Sequence, residues 1–232
     1  MKQKLFSDNN LIHAIVNCDY DAVSRILQIG DYDKSCLDDI GGFLKEVPLF
    51  ILSVCYSIIL NPEDYSNNMP SFLKEKYEEN KKILSLFEKY FGFKNDNIII
   101  EDFVQDFYET EEDFSEESEQ AKTFEEFCAS AVFNKYKFQN FREIDLRLYY
   151  AVWELRSYYE IKKCCEAGAN PDFALPDQES PLEYIAHDIS HLETEVYKLL
   201  KEQKTFDIWN IVDLTWCARH QQNYNLLLQA KA

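Results

Sequence analysis

The sequence predicts an all-α fold in which pairs of helices repeat along the chain, and three observations support this. Hydrophobic residues make up 46% of the 232 residues, which is enough to form an extended core. Only 5 Gly and 6 Pro are present, whereas sandwiches and barrels need many turns that depend on such residues. An apolar stripe at helical spacing also recurs along the chain.

The stripe first appears as Val23, Ile26 and Leu27, with Gly30 three residues later. Apolar residues at this spacing lie on one face of a helix, and a Gly in the left-handed conformation ends that helix. Four later copies follow: Ile83, Leu86, Phe87 and Gly92; Ile161, Cys164, Cys165 and Gly168; Val196, Leu199 and Leu200; and Tyr224, Leu227 and Leu228. The copy that ends at Gly92 has two extra residues before its Gly.

A second, shorter helical pattern precedes each stripe. In the first copy it consists of Leu11, Ala14 and Ile15. In a later copy it begins at Pro181, where Ser180 is a suitable N-cap and proline suits the first helical position. Each repeat is therefore predicted to contain a helix, a turn, a second helix and a Gly.

This arrangement resembles the ankyrin repeat. The closest stretches are residues 11–31 (LIHAIVNCDYDAVSRILQIGD) and residues 159–186 (YEIKKCCEAGANPDFALPDQESPLEYIA), in which EAGAN and SPL match signatures of the family. A third copy, over residues 47–92, carries VPLFIL and about twenty extra residues before its second helix. The resemblance implies an ankyrin-like helical repeat solenoid with irregular insertions, formed by a single domain over residues 1–232. The alternative is an ordinary helical bundle with chance spacing.

The middle of the chain departs from the repeat and is strongly acidic. Residues 96–127 contain 13 acidic residues and one basic residue, so this stretch carries −12 of the formal net charge of −18. We expect an acidic irregular insertion at about 96–122. The capping-box spacing of Thr123 and Glu126 predicts that a helix begins directly after it.

The charge balance argues against direct binding of nucleic acid, because phosphate backbones are met by clusters of Lys and Arg. It favours a basic protein partner. A dense anionic surface can also compete for an enzyme site that holds phosphates. The alternative is that the acidic residues only keep an aromatic-rich chain in solution.

Cysteine usage and apolar runs predict a cytoplasmic protein without a membrane span. The seven Cys are scattered and include no C-x-x-C pair, which disfavours a disulfide or zinc framework. Residues 1–10 lack the apolar stretch of a secretory signal. The most apolar run, residues 47–60, is shorter than the ~20 residues that a membrane crossing needs and is predicted to form a buried helix.

No catalytic residue, metal site or cofactor is predicted. The glycines end helices or form a turn, which leaves none for a phosphate-binding loop. His187 and His191 have the spacing of two metal ligands on a helix, but no third ligand is fixed by spacing. Cys164 and Cys165 occupy stripe positions, where small buried hydrophobic residues are expected.

The predicted function is therefore protein binding, since ankyrin-like proteins present their turns and inner helices to partners. A sharper form is an acidic inhibitor of a basic enzyme, similar to the immunity proteins that neutralise nuclease toxins. Two alternatives stay open: a metal-dependent enzyme with its site in the acidic middle segment, and a structural scaffold. The residues expected to bind the partner are Asp31, Asp33, Asp38, Asp39, Glu111, Glu112, Asp113, Glu116, Glu117, Asp172, Phe173, Asp177 and Glu179.

Overall fold

The computed structural model describes residues 11–30, 35–37, 47–65, 69–92, 94, 98–103, 123–129, 141–153, 158–202 and 208–232. These residues are mostly helical, which confirms the predicted all-α class. Two short strands, β1 (Ser35–Leu37) and β2 (Val47–Pro48), are the exception to this helical class. They form an antiparallel pair in which Ser35 lies opposite Pro48 and Leu37 lies opposite Val47.

The helices of the described residues are α1 (residues 11–16), α2 (Tyr20–Ile29), α3 (Phe50–Ile59), α4 (Ser71–Phe91), α5 (Phe124–Ala129), α6 (Glu143–Trp153), α7 (Tyr158–Glu166), α8 (Pro181–Glu202) and α9 (Ile208–Lys231). Two short 3-10 helices span Pro62–Tyr65 and Ile100–Phe103.

The chain divides into two compact units. Unit 1 comprises Met1–Thr110 and His191–Arg219, and unit 2 comprises Glu111–Ser190 and His220–Ala232. Each unit has its own hydrophobic core. The single ankyrin-like domain over residues 1–232 and its solenoid arrangement stay predictions.

The core of unit 1 is built from the apolar faces of α1 to α4, together with residues of α8 and α9. Val23 and Leu27 of the first stripe are buried in it, and Ile26 packs against it. Helix α3 is buried along nearly its whole length, as predicted from its apolar run. The Tyr56 hydroxyl donates a hydrogen bond of 2.7 Å to the carbonyl of Val16 and so ties α3 to α1.

Unit 1 also contains a buried ion pair. The guanidinium of Arg219 on α9 lies 3.3 Å from the carboxylate of Glu101, and both side chains are nearly inaccessible to solvent. The guanidinium also lies 5.6 Å from the centre of the Trp216 ring. Buried charges are tolerated when they are paired in this way.

The predicted helix boundaries are largely confirmed. Gly30, Gly92 and Gly168 follow their helices with φ of 76°, 71° and 80°. Thr123 and Glu126 form the expected capping box, with reciprocal hydrogen bonds of 3.0 and 3.1 Å. Local sequence therefore determines where these helices begin and end.

The prediction of two separate helices in the copy that begins at Pro181 is wrong. Helix α8 runs without a break from Pro181 to Glu202 and is 22 residues long. The connecting residues 187–195 (HDISHLETE) contain no Gly or Pro, so nothing in the sequence stops the helix between its two apolar patterns. Val196 and Leu200 of the stripe are nevertheless buried, as expected.

Candidate partner-binding site

The best-defined candidate site is the loop of residues 167–180 in unit 2, which joins α7 to α8. A chain of turns shapes it. The Asn170 carbonyl accepts a 3.0 Å hydrogen bond from the amide of Phe173, and the Asn170 side-chain oxygen accepts one of 3.1 Å from the amide of Asp172. The carbonyl of Pro171 accepts a hydrogen bond from the amide of Leu182, and this bond links the loop to the first turn of α8.

A carboxylate on α6 holds the start of this loop in place. Asp145 is buried and accepts hydrogen bonds of 2.7 and 2.5 Å from the guanidinium of Arg142 and one of 2.8 Å from the amide of Asn170. The same guanidinium donates to the carbonyl of Gly168 at 3.1 Å. The loop is therefore bound to the helix through one paired acid and base.

The surroundings of Asp145 favour its charged form. Burial alone raises the pKa of a carboxyl group, but the hydrogen bonds from Arg142 and from the amide of Asn170 outweigh burial here. The pKa of Asp145 consequently lies below its usual range, and the group is ionised at neutral pH.

The end of the loop is joined to α8 by a capping box. The Ser180 hydroxyl accepts a hydrogen bond from the amide of Glu183. In return, the Glu183 carboxylate accepts hydrogen bonds of 2.9 and 2.8 Å from the amide and the hydroxyl of Ser180. The hydrogen bonds from Ser180 lower the pKa of Glu183. The predicted N-cap role of Ser180 is confirmed, whereas the reciprocal role of Glu183 was not predicted.

Three of the predicted partner-binding residues in this loop have exposed carboxylates: Asp172, Asp177 and Glu179. The Asp172 carboxylate lies 2.9 Å from the ammonium group of Lys231 at the end of α9. Asp177 has a φ of 65°, a conformation that Asp tolerates better than most residues. The exposed acidic groups are thus displayed by a loop whose backbone is held at several points.

Phe173, the fourth predicted residue in this loop, is only partly exposed, because it packs against unit 2's core. It belongs to a row of aromatic rings in which each contacts the next. The centroid distances are 5.3 Å from Phe141 to Phe173, 6.4 Å from Phe173 to Tyr149, 5.7 Å from Tyr149 to Trp153 and 4.8 Å from Trp153 to Tyr184. We call these five residues the aromatic row.

Trp153 is the most accessible large residue of the aromatic row, with 39% of its surface exposed. Its ring is stacked on Tyr149 with an interplanar angle of 10° and is tilted by 34° against Tyr184. Trp and Tyr are enriched among the residues that dominate protein interfaces. Trp153 was not among the residues predicted to bind a partner, although its spacing of four residues from Tyr149 places both on one helix face.

The other predicted partner-binding residues lie outside the described residues. They are Asp31, Asp33, Asp38, Asp39, Glu111, Glu112, Asp113, Glu116 and Glu117. The acidic insertion, and with it the alternative metal site in the middle segment, therefore stays a prediction. Among the residues that are described, no group of three or more His, Cys, Asp or Glu side chains is placed to hold a metal ion.

The paired cysteines of α7 do not have the character of nucleophiles. Burial raises the pKa of Cys164, and burial together with the neighbouring Cys164 raises that of Cys165 to about 11. A nucleophilic thiol instead needs a lowered pKa. His187 and His191 are both exposed on α8.

Comparison of the chain with protein-family models, with curated proteins and with solved structures finds no match. Within the described ranges, no helix combines the length and apolar character that crossing a membrane requires.

Proposed function

We propose that this chain is a protein-binding module that engages a basic partner through the loop of residues 167–180 and the aromatic row of unit 2. The observation that carries the proposal is the exposed ring of Trp153, supported by Tyr149 and Tyr184. The loop that contributes Phe173 to the same row also exposes the carboxylates of Asp172, Asp177 and Glu179.

The two kinds of group would have different roles in binding. A large aromatic side chain loses little conformational entropy when it is covered, so it contributes affinity at the centre of an interface. Exposed carboxylates at the rim contribute less to affinity but attract a partner of opposite charge and orient it. Because Asp145 holds the loop before binding, little ordering of its backbone would be needed.

The finer form of the proposal is an ankyrin-like solenoid that acts as an immunity-type inhibitor of a basic enzyme such as a nuclease toxin. A net charge of −18 supports a basic target, since carboxylates can occupy the positive surface that would otherwise hold phosphates. The gene neighbourhood tests this form cheaply, because an immunity protein is expected to be encoded beside its toxin.

Affinity capture with matched variants tests the module itself. The immobilised baits are the parent chain, Trp153→Ala, and the double variant Asp177→Asn with Glu179→Gln. The control is the double variant Glu75→Gln with Glu166→Gln, which removes the same charge from exposed positions on α4 and α7. Circular dichroism and thermal unfolding establish that each bait is folded.

We expect the parent and the control to capture the same basic protein. Trp153→Ala should weaken its binding at least about 10-fold, as truncation of a central aromatic residue does. The loop double variant should mainly slow association. A captured protein that binds all four baits with equal affinity and equal rate would contradict the proposed site.

A further inference from the structure

Unit 2 contains a cavity of about 420 Å³ between α5, α6 and α7, distinct from the aromatic row. This volume is within the range of about 300 to 1,000 Å³ that small-molecule sites occupy. Its described lining includes Phe124, Ile144, Arg147, Tyr150, Lys163 and Cys164.

The walls of the cavity are largely apolar. Tyr150, Ala151 and Cys164 are buried, and Ile144 and Phe124 are partly buried against the core of unit 2. The Phe124 ring packs edge-on against Tyr150 with a centroid distance of 5.8 Å. An apolar wall of this kind suits the hydrocarbon or aromatic part of a small ligand.

Among the described residues, the charged groups that line the cavity are two cations and one carboxylate. Arg147 comes from α6, whereas Lys163 and Glu160 come from α7. Within the described part of the chain Lys163 has no ion pair, unlike the neighbouring Lys162, whose ammonium lies 3.9 Å from Glu166. Glu160 at the cavity and Glu143, which pairs with Arg147, balance these two cations, so a ligand head group would be held by their N–H donors rather than by an excess of positive charge.

The guanidinium of Arg147 is oriented by Glu143 and still has N–H donors that can bind a ligand. Its Nε donates to Oε1 of Glu143 at 2.8 Å, and Nη2 lies 2.7 Å from the same oxygen. The guanidinium carbon lies 4.2 Å from the centre of the Phe124 ring. Since a guanidinium has five N–H donors, those of the second terminal nitrogen remain for a ligand. The Glu143 side chain is 70% exposed, so its pairing with Arg147 is weak and does not prevent a second acceptor.

We propose that this cavity binds a small amphipathic carboxylate, with its head group on Arg147 and Lys163 and its apolar body against Phe124, Ile144 and Tyr150. The cavity provides hydrogen-bond donors for the carboxylate head group and apolar side chains for the hydrocarbon body of such a molecule. Two cations from adjacent helices can share one carboxylate through charge-assisted hydrogen bonds, while the body leaves water. The inference is independent of the proposed protein partner and concerns a different set of residues.

Calorimetric titration of the full chain tests the chemistry of the ligand. The probes are octanoate, octylamine and octanol, which share a chain and differ in the head group, together with acetate, which has the head group alone. We expect octanoate to bind at least about 10-fold more tightly than either octylamine or octanol, because one good charge-assisted contact corresponds to roughly that factor. Acetate should show no measurable binding.

Substitutions at the cavity test whether octanoate binds there. The double variant Arg147→Gln with Lys163→Gln should weaken octanoate binding at least about 10-fold. Lys162→Gln removes a comparable charge one residue away on α7, outside the cavity lining, and should leave binding unchanged. Circular dichroism establishes that all variants are folded, as expected for side chains with exposed head groups.

Cys164 provides a second readout in the parent protein. This thiol lines the cavity, so bound octanoate should slow its alkylation by a neutral maleimide, measured residue by residue by mass spectrometry. Cys165, which lies outside the lining and is only partly buried, should react at an unchanged rate. Equal binding of octylamine or octanol, full octanoate affinity in the double cavity variant, or unprotected Cys164 would each overturn the proposal.

Discussion

At the scale of single residues, Asp145 shows how one carboxylate can determine the shape of a candidate site. It is buried on α6, yet its hydrogen-bond partner Asn170 lies 25 residues away in the loop. Arg142 completes the arrangement by binding both the carboxylate and the carbonyl of Gly168. Replacing the carboxylate with a neutral amide would weaken the hydrogen bond from the Asn170 amide and place an NH2 group opposite the Arg142 guanidinium, which costs more than losing a surface ion pair.

Asp145→Asn should therefore destabilise the chain by roughly 1.5 to 3 kcal/mol at pH 7, the range for hydrogen bonds to charged groups. Because the folded-state pKa of Asp145 is lowered from 3.8, its contribution is present above that pH and is lost as the pH falls through the folded pKa. Urea unfolding of the parent and the variant, from pH 7 down to pH values below the ordinary pKa of Asp, measures this contribution. The difference between their free energies of unfolding should shrink towards acid pH.

The control for this prediction is Glu143→Gln, which neutralises a largely exposed carboxylate on the same helix. Its effect should stay within about 0.5 kcal/mol. If Asp145→Asn is as stable as the parent at pH 7, Asp145 does not hold the loop.

At the scale of elements, helix ends were more predictable than helix continuity. Gly30 and Gly168 end their helices in the left-handed conformation, and Ser180 begins α8. These signals are local, since a cap or a positive φ depends on a few neighbouring residues. Whether two apolar patterns form one helix or two depends on whether a helix stop lies between them; residues 187–195 contain no Gly or Pro, and α8 is continuous.

Replacing Gly30 or Gly168 with Val should lower the free energy of unfolding by at least about 1 to 2 kcal/mol each, since a residue with a Cβ is disfavoured at positive φ. No atom lies within 4 Å of the position that a Cβ would occupy at either site, so the cost comes from backbone conformation rather than from a clash. Chemical denaturation measures the change. Ala167→Val, at the exposed residue before Gly168, is the control, and two unaffected glycine variants would refute the role of these residues as helix stops.

At the scale of the whole molecule, the dominant feature is the uneven charge. Residues 96–127 carry −12, whereas the rest of the chain carries −6. A concentrated charge produces a local field that can raise association rates by roughly 10- to 1,000-fold. Salt screens such a field, because the Debye length is about 8 Å at physiological ionic strength.

Neutralising Glu111, Glu112, Asp113, Glu116 and Glu117 to Gln or Asn should consequently slow association with a basic partner and reduce its dependence on salt. Stopped-flow or surface-based kinetics at several ionic strengths measure both effects. The control neutralises five dispersed exposed residues, Glu63, Glu75, Glu78, Glu88 and Glu166, and so removes the same total charge. Identical rates and salt slopes for the two variants would show that the clustering of charge has no role in association.

The sequence by itself determined the helical class, the burial of Val23, Leu27 and Ile161, and the helix stops at Gly30 and Gly168. Each of these properties follows from periodicity or from residues a few positions apart, because they depend on local backbone conformation and on which helix face is apolar.

Only the tertiary structure decided which residues meet across elements. It joined Asp145 to the loop before α8, assembled the aromatic row from two helices, the loop and Phe141, and brought Arg147 and Lys163 to one cavity. It also packed Phe173 partly into the core, which its place in a turn did not predict. Such contacts depend on the packing of segments far apart in the chain, and the spacing of residues along one segment contains no information about its neighbour.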